Sequence, residues 1–179
     1  MNRIGTLYGQ GLYALAREEG LEADILQQLQ TLEEAFSQEP TFLKLLSSAN
    51  VPKQDRTQIL DESFREKVHI YVLNFLKILT EKGYMRHFSD CRKAYEESFN
   101  RDNGILPVTA FTAVPLSSDQ ADKLTDKLSR ITGKQIKLHS RIDPTVLGGV
   151  RLDYDGKRLD DTVSHRLDSI RDLLKNTVL

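Results

Sequence analysis

The chain has 179 residues, 39% hydrophobic and 28% charged, which suits one or two globular domains rather than a disordered or membrane-spanning chain. A formal net charge of −1 supplies no excess of one sign for nucleic acid or an anionic membrane. Cys91 is the only cysteine, which excludes an internal disulfide and fits a reducing compartment.

No apolar run approaches the ~20 residues that span a bilayer. Ala14-Leu15-Ala16 imitates a signal-peptidase site, but Thr6, Gln10 and three glycines interrupt the apolar segment such a leader needs. The expectation is a protein without a signal or transit peptide, kept on the cytosolic side. Composition also shifts near Asn103-Gly104. Residues 1–104 are net acidic, whereas residues 105–179 are net basic and contain no Glu. Glu favours helix interiors and Asp favours caps and turns. A helical domain over 1–104 and a strand- and turn-rich domain over 105–179 follow.

In the first domain Ile4, Leu7, Tyr8, Leu12 and Leu15 recur at three and four residues, the spacing of an amphipathic helix. A second helix runs from Leu21 to about Phe36 through Ile25, Leu29 and Leu32. Pro40 opens a short third and Val51-Pro52 a fourth, because proline suits a first helical turn. The fifth, KVHIYVLNFLKILTEKG, is apolar in nearly every direction and is expected at the centre of a bundle, with Gly83 past its end. A sixth, from about Met85 to Asn100, turns Phe88, Cys91, Tyr95 and Phe99 inward. The expectation is a six-helix bundle.

The second domain opens with the apolar, β-branched ILPVTAFTAVPLS, followed by a helix capped by Ser117 or Ser118. QIKLHSRI alternates as a strand does. VLGGVRLDY reads as another, turned by Asp155-Gly156, a pair suited to a two-residue hairpin. Asp160 or Asp161 caps a last helix with Val163, Leu167, Ile170 and Leu174 on one stripe. The expected order is a small β-α-β-β-α domain, giving an α + α/β fold overall.

Motifs for chemistry fail one by one. Gly156-Lys157 and Gly133-Lys134 lack both the upstream glycine and the hydroxyl of a phosphate loop. Asp153 and Asp155 fit two places of a calcium loop, but Arg151 occupies the first place and Thr162 the last. His69, His87, His139 and His165 show no metal-site spacing. His87 lies four residues before Cys91 and could activate its thiol, but that position belongs to an apolar stripe. Lys123, Lys127, Arg130, Lys134 and Lys137 form a basic stripe for RNA. Asp119, Asp122 and Asp126 interleave with it, so a solvated helix face is the better reading. The reading is of no catalytic residue, cofactor or metal. Gly5, Gly9 and Gly11 remain unusual, since each costs roughly 1 kcal/mol relative to alanine in a helix. They point either to tight packing inside the domain or to a groove for a partner helix.

The stretch IDPTVLGGVRLDYDGKRLDDTVSHRLDSIRDLL resembles the C-terminal signature of the F-type ATP synthase delta subunit family, which includes the oligomycin-sensitivity-conferring protein. The structural signature rests on Asp143, Gly148, Gly149, Asp155 and Gly156. LYGQGLYALA is similar to the family's opening helix and NFLKILTEKG to its fifth, so the likeness runs through the whole chain. Gly9 and Gly11 depart from expected alanines, and Tyr84 stands where Arg often follows the glycine.

The resemblance implies a non-catalytic stator subunit that links the catalytic head to the peripheral stalk and lets the head resist rotor torque. By the same resemblance, the helical domain binds the N-terminal helices of alpha subunits in a groove of the first and fifth helices. Tyr8, Gly11 and Leu15 would form one wall, with Asn74, Ile78 and Lys82 on the other. The C-terminal domain would bind the C-terminal ends of b subunits. The implied protein is monomeric alone, binds no nucleic acid and sits peripherally on the cytoplasmic face of a bacterial membrane. The alternative is a small RNA-binding protein using the C-terminal half.

Overall fold

The computed structural model describes residues 2–160 except 49 and 147. Among these, seven α-helices and a four-stranded sheet give a mixed α/β architecture. The chain divides into two compact units, Met1–Phe99 and Asn100–Leu179.

The first unit contains α1 (Arg3–Glu18), α2 (Glu22–Gln38), α3 (Pro40–Ser47), α4 (Lys53–Phe64), α5 (Ile70–Glu81), a 3₁₀ turn (Met85–His87) and most of α6 (Phe88–Asp102). Its core gathers Leu12, Ile25, Leu29, Leu46, Leu60, Leu76 and Tyr95 from all six helices. Removing each such side chain from water contributes about 1.5–3 kcal/mol. Polar ties fix the packing. The Tyr95 hydroxyl donates to the Glu22 carbonyl at 2.9 Å, joining α6 to the start of α2. Buried Arg56 donates from Nη1 to the Leu46 carbonyl at 3.0 Å, so α4 satisfies a free carbonyl at the end of α3.

α1 does not bury the stripe that its hydrophobic periodicity selects. Its buried residues are Gly5, Gly9, Leu12, Tyr13 and Ala16, while Leu7 is 68% and Leu15 40% exposed. The reason is backbone contact with α6. A Cβ on residue 5 would lie 2.5 Å from the Cβ of Asp90. One on residue 9 would collide with the Cys91 carbonyl oxygen and lie 2.8 Å from the Ala94 Cβ. Gly11 has nothing within 4 Å of such a Cβ. Packing inside the unit therefore accounts for Gly5 and Gly9, and leaves Gly11 unexplained.

α5 also differs from expectation. It buries Val72, Leu73, Phe75, Leu76, Leu79 and Thr80 but exposes Ile70 and Ile78, so it is enclosed on most sides rather than all. His69 caps its start, with Nδ1 accepting from the Tyr71 N–H. Past its end, Gly83 at φ 72 permits the Tyr84 N–H to reach the Leu79 carbonyl and its own N–H to reach that of Thr80.

The second unit holds β1 (Ile105–Thr112), α7 (Ser118–Thr132), β2 (Gln135–Ile142), β3 (Val150–Tyr154) and β4 (Lys157–Asp160) in the order β2-β1-β3-β4. β1 and β2 are parallel, joined through α7, and the other pairs are antiparallel. Ser117 caps α7 in a reciprocal box with Gln120. The apolar face carries Leu106, Val108, Ala110, Ile136, Leu138 and Leu152, with Leu124 and Leu128 of α7 packed on it. The last helix, with Val163, Leu167, Ile170 and Leu174, lies outside the described residues.

Two glycine substitutions separate these environments. Gly9→Ala is expected to destabilise the protein by about 1–3 kcal/mol, as overpacking does. Gly11→Ala is expected to stabilise it by up to about 1 kcal/mol through helix propensity. Denaturant unfolding of both variants beside the parent checks the difference in sign.

Candidate functional site: surfaces for partners

Two rows of residues at i, i+4 spacing lie open on α1 and α5. On α1 these are Leu7, Gly11 and Leu15, and on α5 Ile70, Asn74 and Ile78, continued by the C-cap residue Lys82. The two helices touch, and the Tyr8 ring meets that of Tyr84 edge-on with centroids 5.8 Å apart. Of the residues implied by the resemblance, Gly11, Leu15, Asn74, Ile78 and Lys82 are exposed, while Tyr8 is half-buried and occupied by Tyr84. Leu7 and Ile70 were not among them. The signal that finds them is the four-residue row itself, since Leu7 leads to Gly11 and Ile70 leads to Asn74.

The residues considered for chemistry have other employment. Cys91 is fully buried, and burial, with the Asp90 carboxylate beside it, pushes the thiol up to about 12. That is the opposite of an activated nucleophile. His87 does not face the thiol as a base; its ring nitrogens lie 2.9 Å from Asn2 Nδ2 and 3.2 Å from Arg86 Nε. Among the described residues no group of three or more His, Cys, Asp or Glu side chains could hold a metal ion. Lys123 pairs with Asp119 at 2.7 Å, the local neutralisation expected of a solvated face.

The glycine-rich stretch resolves into two structural devices. Asp143 closes the turn after β2: its Oδ1 accepts from the Thr145 hydroxyl at 2.6 Å and N–H at 3.0 Å, and its Oδ2 accepts from Arg151 at 3.1 Å. The Arg151 guanidinium in turn lies over the Phe111 ring, 4.3 Å from its centroid, directly across the β1–β3 pairing. The bonds from Thr145 first, then Arg151, hold the Asp143 carboxyl below its ordinary value. Asp155 and Gly156, at φ 48 and 69, form the two-residue hairpin turn between β3 and β4. Below it, Arg158 binds Asp153 with two bonds of 2.9 and 3.0 Å. One expectation fails here. Gly148 and Gly149 are not packed within a strand; they fall in the bend before β3, where Gly149 takes φ 84, a conformation that side-chain-bearing residues rarely adopt. A depression of about 450 Å³ beside the turn is lined by Pro107, Tyr154, Asp155 and Lys157, and by Asp153 and Arg158, which are already engaged with each other.

Among the described residues the reactive groups are buried or engaged with one another, and open helix rows lie beside them. The family profile described as ATP synthase delta (OSCP) subunit matches residues 4–174, and the chain belongs to that family, the non-catalytic stator subunit of the peripheral stalk. The chain is similar to ATP synthase subunit delta of Alkaliphilus oremlandii (strain OhILAs), 30% identical with 98% of each chain covered. It is also similar to ATP synthase subunit delta of Clostridioides difficile (strain 630), 28% identical with 99% of each covered. A chain in the cryo-EM structure of the Toxoplasma gondii mitochondrial ATP synthase hexamer shares the fold, with TM-score 0.74, 20% identity, and 97% and 98% of the two chains covered. The RNA-binding alternative finds no support in these likenesses.

Two outcomes follow. In the native protein Cys91 is expected to resist a maleimide and to react fully in denaturant; mass spectrometry of the adduct reads this. Because Asp143 has a lowered folded value, its contribution is present above the unfolded value of roughly 3.9 and is lost as pH falls through the folded one. Asp143→Asn is therefore expected to flatten part of the fall in melting temperature on acidification below about pH 4.

Proposed function

We propose that residues 1–104, as a six-helix bundle, bind the N-terminal helix of an ATP synthase alpha subunit between α1 and α5. Residues 105–179 then contact the C-terminal ends of the b subunits. Gly11 with Leu7 and Leu15 makes one wall; Asn74 and Ile78, continued by Ile70 and Lys82, make the other. The single observation that carries this reading is the exposure of these rows beside the open space over Gly11. Close packing already explains the other two α1 glycines, and a helix glycine with empty space above it admits a neighbouring backbone.

Chemically the groove offers apolar side chains flanked by an amide and an ammonium, which suits the apolar face of an amphipathic helix. No helix among the described residues is long and apolar enough to cross a membrane. In this reading the protein is monomeric until it joins the complex, peripherally on the cytoplasmic face of the membrane. The function is mechanical. Torque from the rotor reaches the head, and a subunit bound to head and stalk at once transmits the reaction force. The two contacts act in series, so the weaker limits the load, and several modest surfaces held together raise one another's effective concentration. A nanomolar contact corresponds to about −12 kcal/mol.

Calorimetric titration with a peptide copying the alpha N-terminal helix tests the site. Ile78→Asp and Gly11→Leu are each expected to weaken binding tenfold or more, about 1.4 kcal/mol. Gly11→Leu branches from an exposed position whose Cβ would meet nothing within 4 Å, so it fills the groove from the solvent side of α1. Tyr8→Asp also weakens binding, but it additionally removes the ring contact with Tyr84. Unchanged affinity in both Ile78→Asp and Gly11→Leu rejects the groove. The isolated protein is expected to leave ATP unhydrolysed.

A further inference from the structure

The N-terminal end of α1 is tied to the turn before α6 by one imidazole. Asn2 is the N-cap of α1, its Oδ1 accepting from the Ile4 N–H at 3.2 Å. Its Nδ2 lies 2.9 Å from His87 Nδ1. The other ring nitrogen, Nε2, lies 3.2 Å from Arg86 Nε. Both neighbours present N–H donors, so a neutral ring accepts from one of them, and a doubly protonated ring accepts from neither. The acceptor within reach of the cation is Asp90 Oδ2, 3.6 Å from Nδ1. Asp90 is also the residue on which Gly5 of α1 rests.

We propose that His87 is a pH-sensitive latch on α1. When neutral, with its proton on Nε2, Nδ1 holds the Asn2 amide with its oxygen toward Ile4, and the exposed Arg86 turns aside. When protonated, Nδ1–H turns to Asp90. The Asn2 amide group then loses its acceptor, and the Asn2 Oδ1 cap on the Ile4 N–H is no longer braced by the ring. The switch is the second ring proton: once both nitrogens carry hydrogen, neither can accept, so the latch responds to acidification. The described groups in hydrogen-bond or ion-pair reach of the ring are Asn2 on α1, Arg86 in the turn and Asp90 on α6. The Tyr84 ring centroid lies 6.4 Å away. α3 and α5 also pack on this turn; they carry Lys44 on α3, and Lys77 and Glu81 on α5, with Lys77 engaged by Asp61 at 2.6 Å.

The consequence for partner binding, a looser Leu7 end of the α1 row at acid pH, rests on the groove reading. The latch does not, and its test uses no partner. Amide hydrogen exchange and side-chain NMR on the full chain from pH 8 to pH 5 read it directly. The Asn2 side-chain amide signal is expected to titrate together with the His87 ring. Protection of the Ile4 amide, corrected for intrinsic exchange, is expected to fall severalfold over the same range. His87→Gln keeps an acceptor for Asn2 that does not titrate, so its Ile4 protection is expected to be flat with pH. Asp90→Asn keeps an acceptor but removes the charge that pairs with the cation, and is expected to move the transition to lower pH. An Asn2 signal in the parent protein that ignores His87 titration, or a pH step in Ile4 protection that survives in His87→Gln, overturns the latch.

Discussion

The helical unit depends on backbone lying against backbone where α1 crosses α6. Gly5 rests on Asp90, and Gly9 leaves room for the Cys91 carbonyl that any larger residue would strike. This contact fixes the rotation of α1 about its own axis. With the glycine side turned inward, Leu12, Tyr13 and Ala16 follow it into the core, and Leu7, Gly11 and Leu15 turn outward. A helix with its apolar residues distributed on two sides thus acquires one packed face and one available face. The stability lost to glycine in a helix is offset by close contact on one side, which leaves the other side open.

The sheet unit depends on a different device. Between β2 and β3 the chain must reverse and change from the parallel to the antiparallel edge of β1, and Asp143 organises that passage. It accepts from Thr145 in the turn and from Arg151 in the returning strand, whose guanidinium covers Phe111 of β1. Three elements are joined through one carboxylate. The family resemblance fell on this stretch because its residues answer to several geometric demands at once: an acceptor, a glycine at positive φ, and a two-residue turn.

A subunit that transmits force needs side chains that hold rather than react. Arg56 satisfies the end of α3, Tyr95 ties α6 to α2, and Arg158 clamps Asp153 across the hairpin. Cys91, a group that could have suggested chemistry, is sealed in the core and its thiol is held protonated. Such a protein is read through its open surfaces, and these follow from which helix faces the core leaves over.

Much of the fold was legible in the linear sequence because it is locally encoded. Proline at the start of α3, the Ser117–Gln120 box of α7, Gly83 past α5 and the Asp155-Gly156 turn each act within a few residues. The alternation of β2 and the shift from Glu to Asp gave the two kinds of unit, and the IDPTVLGGV stretch gave the family. What the sequence did not reveal was orientation. Hydrophobic periodicity placed Leu7 and Leu15 of α1 inward, because glycine contributes nothing to a hydrophobic pattern even where it forms the tightest contact. It enclosed α5 on every side, because the same isoleucine serves a core or a partner. It set Gly148 and Gly149 in a strand, where the sheet ends at the bend before Val150. Those are decisions between elements distant in the chain. Only the tertiary structure makes them, because the atoms that close off one face of α1 belong to Asp90 and Cys91, some eighty residues further along.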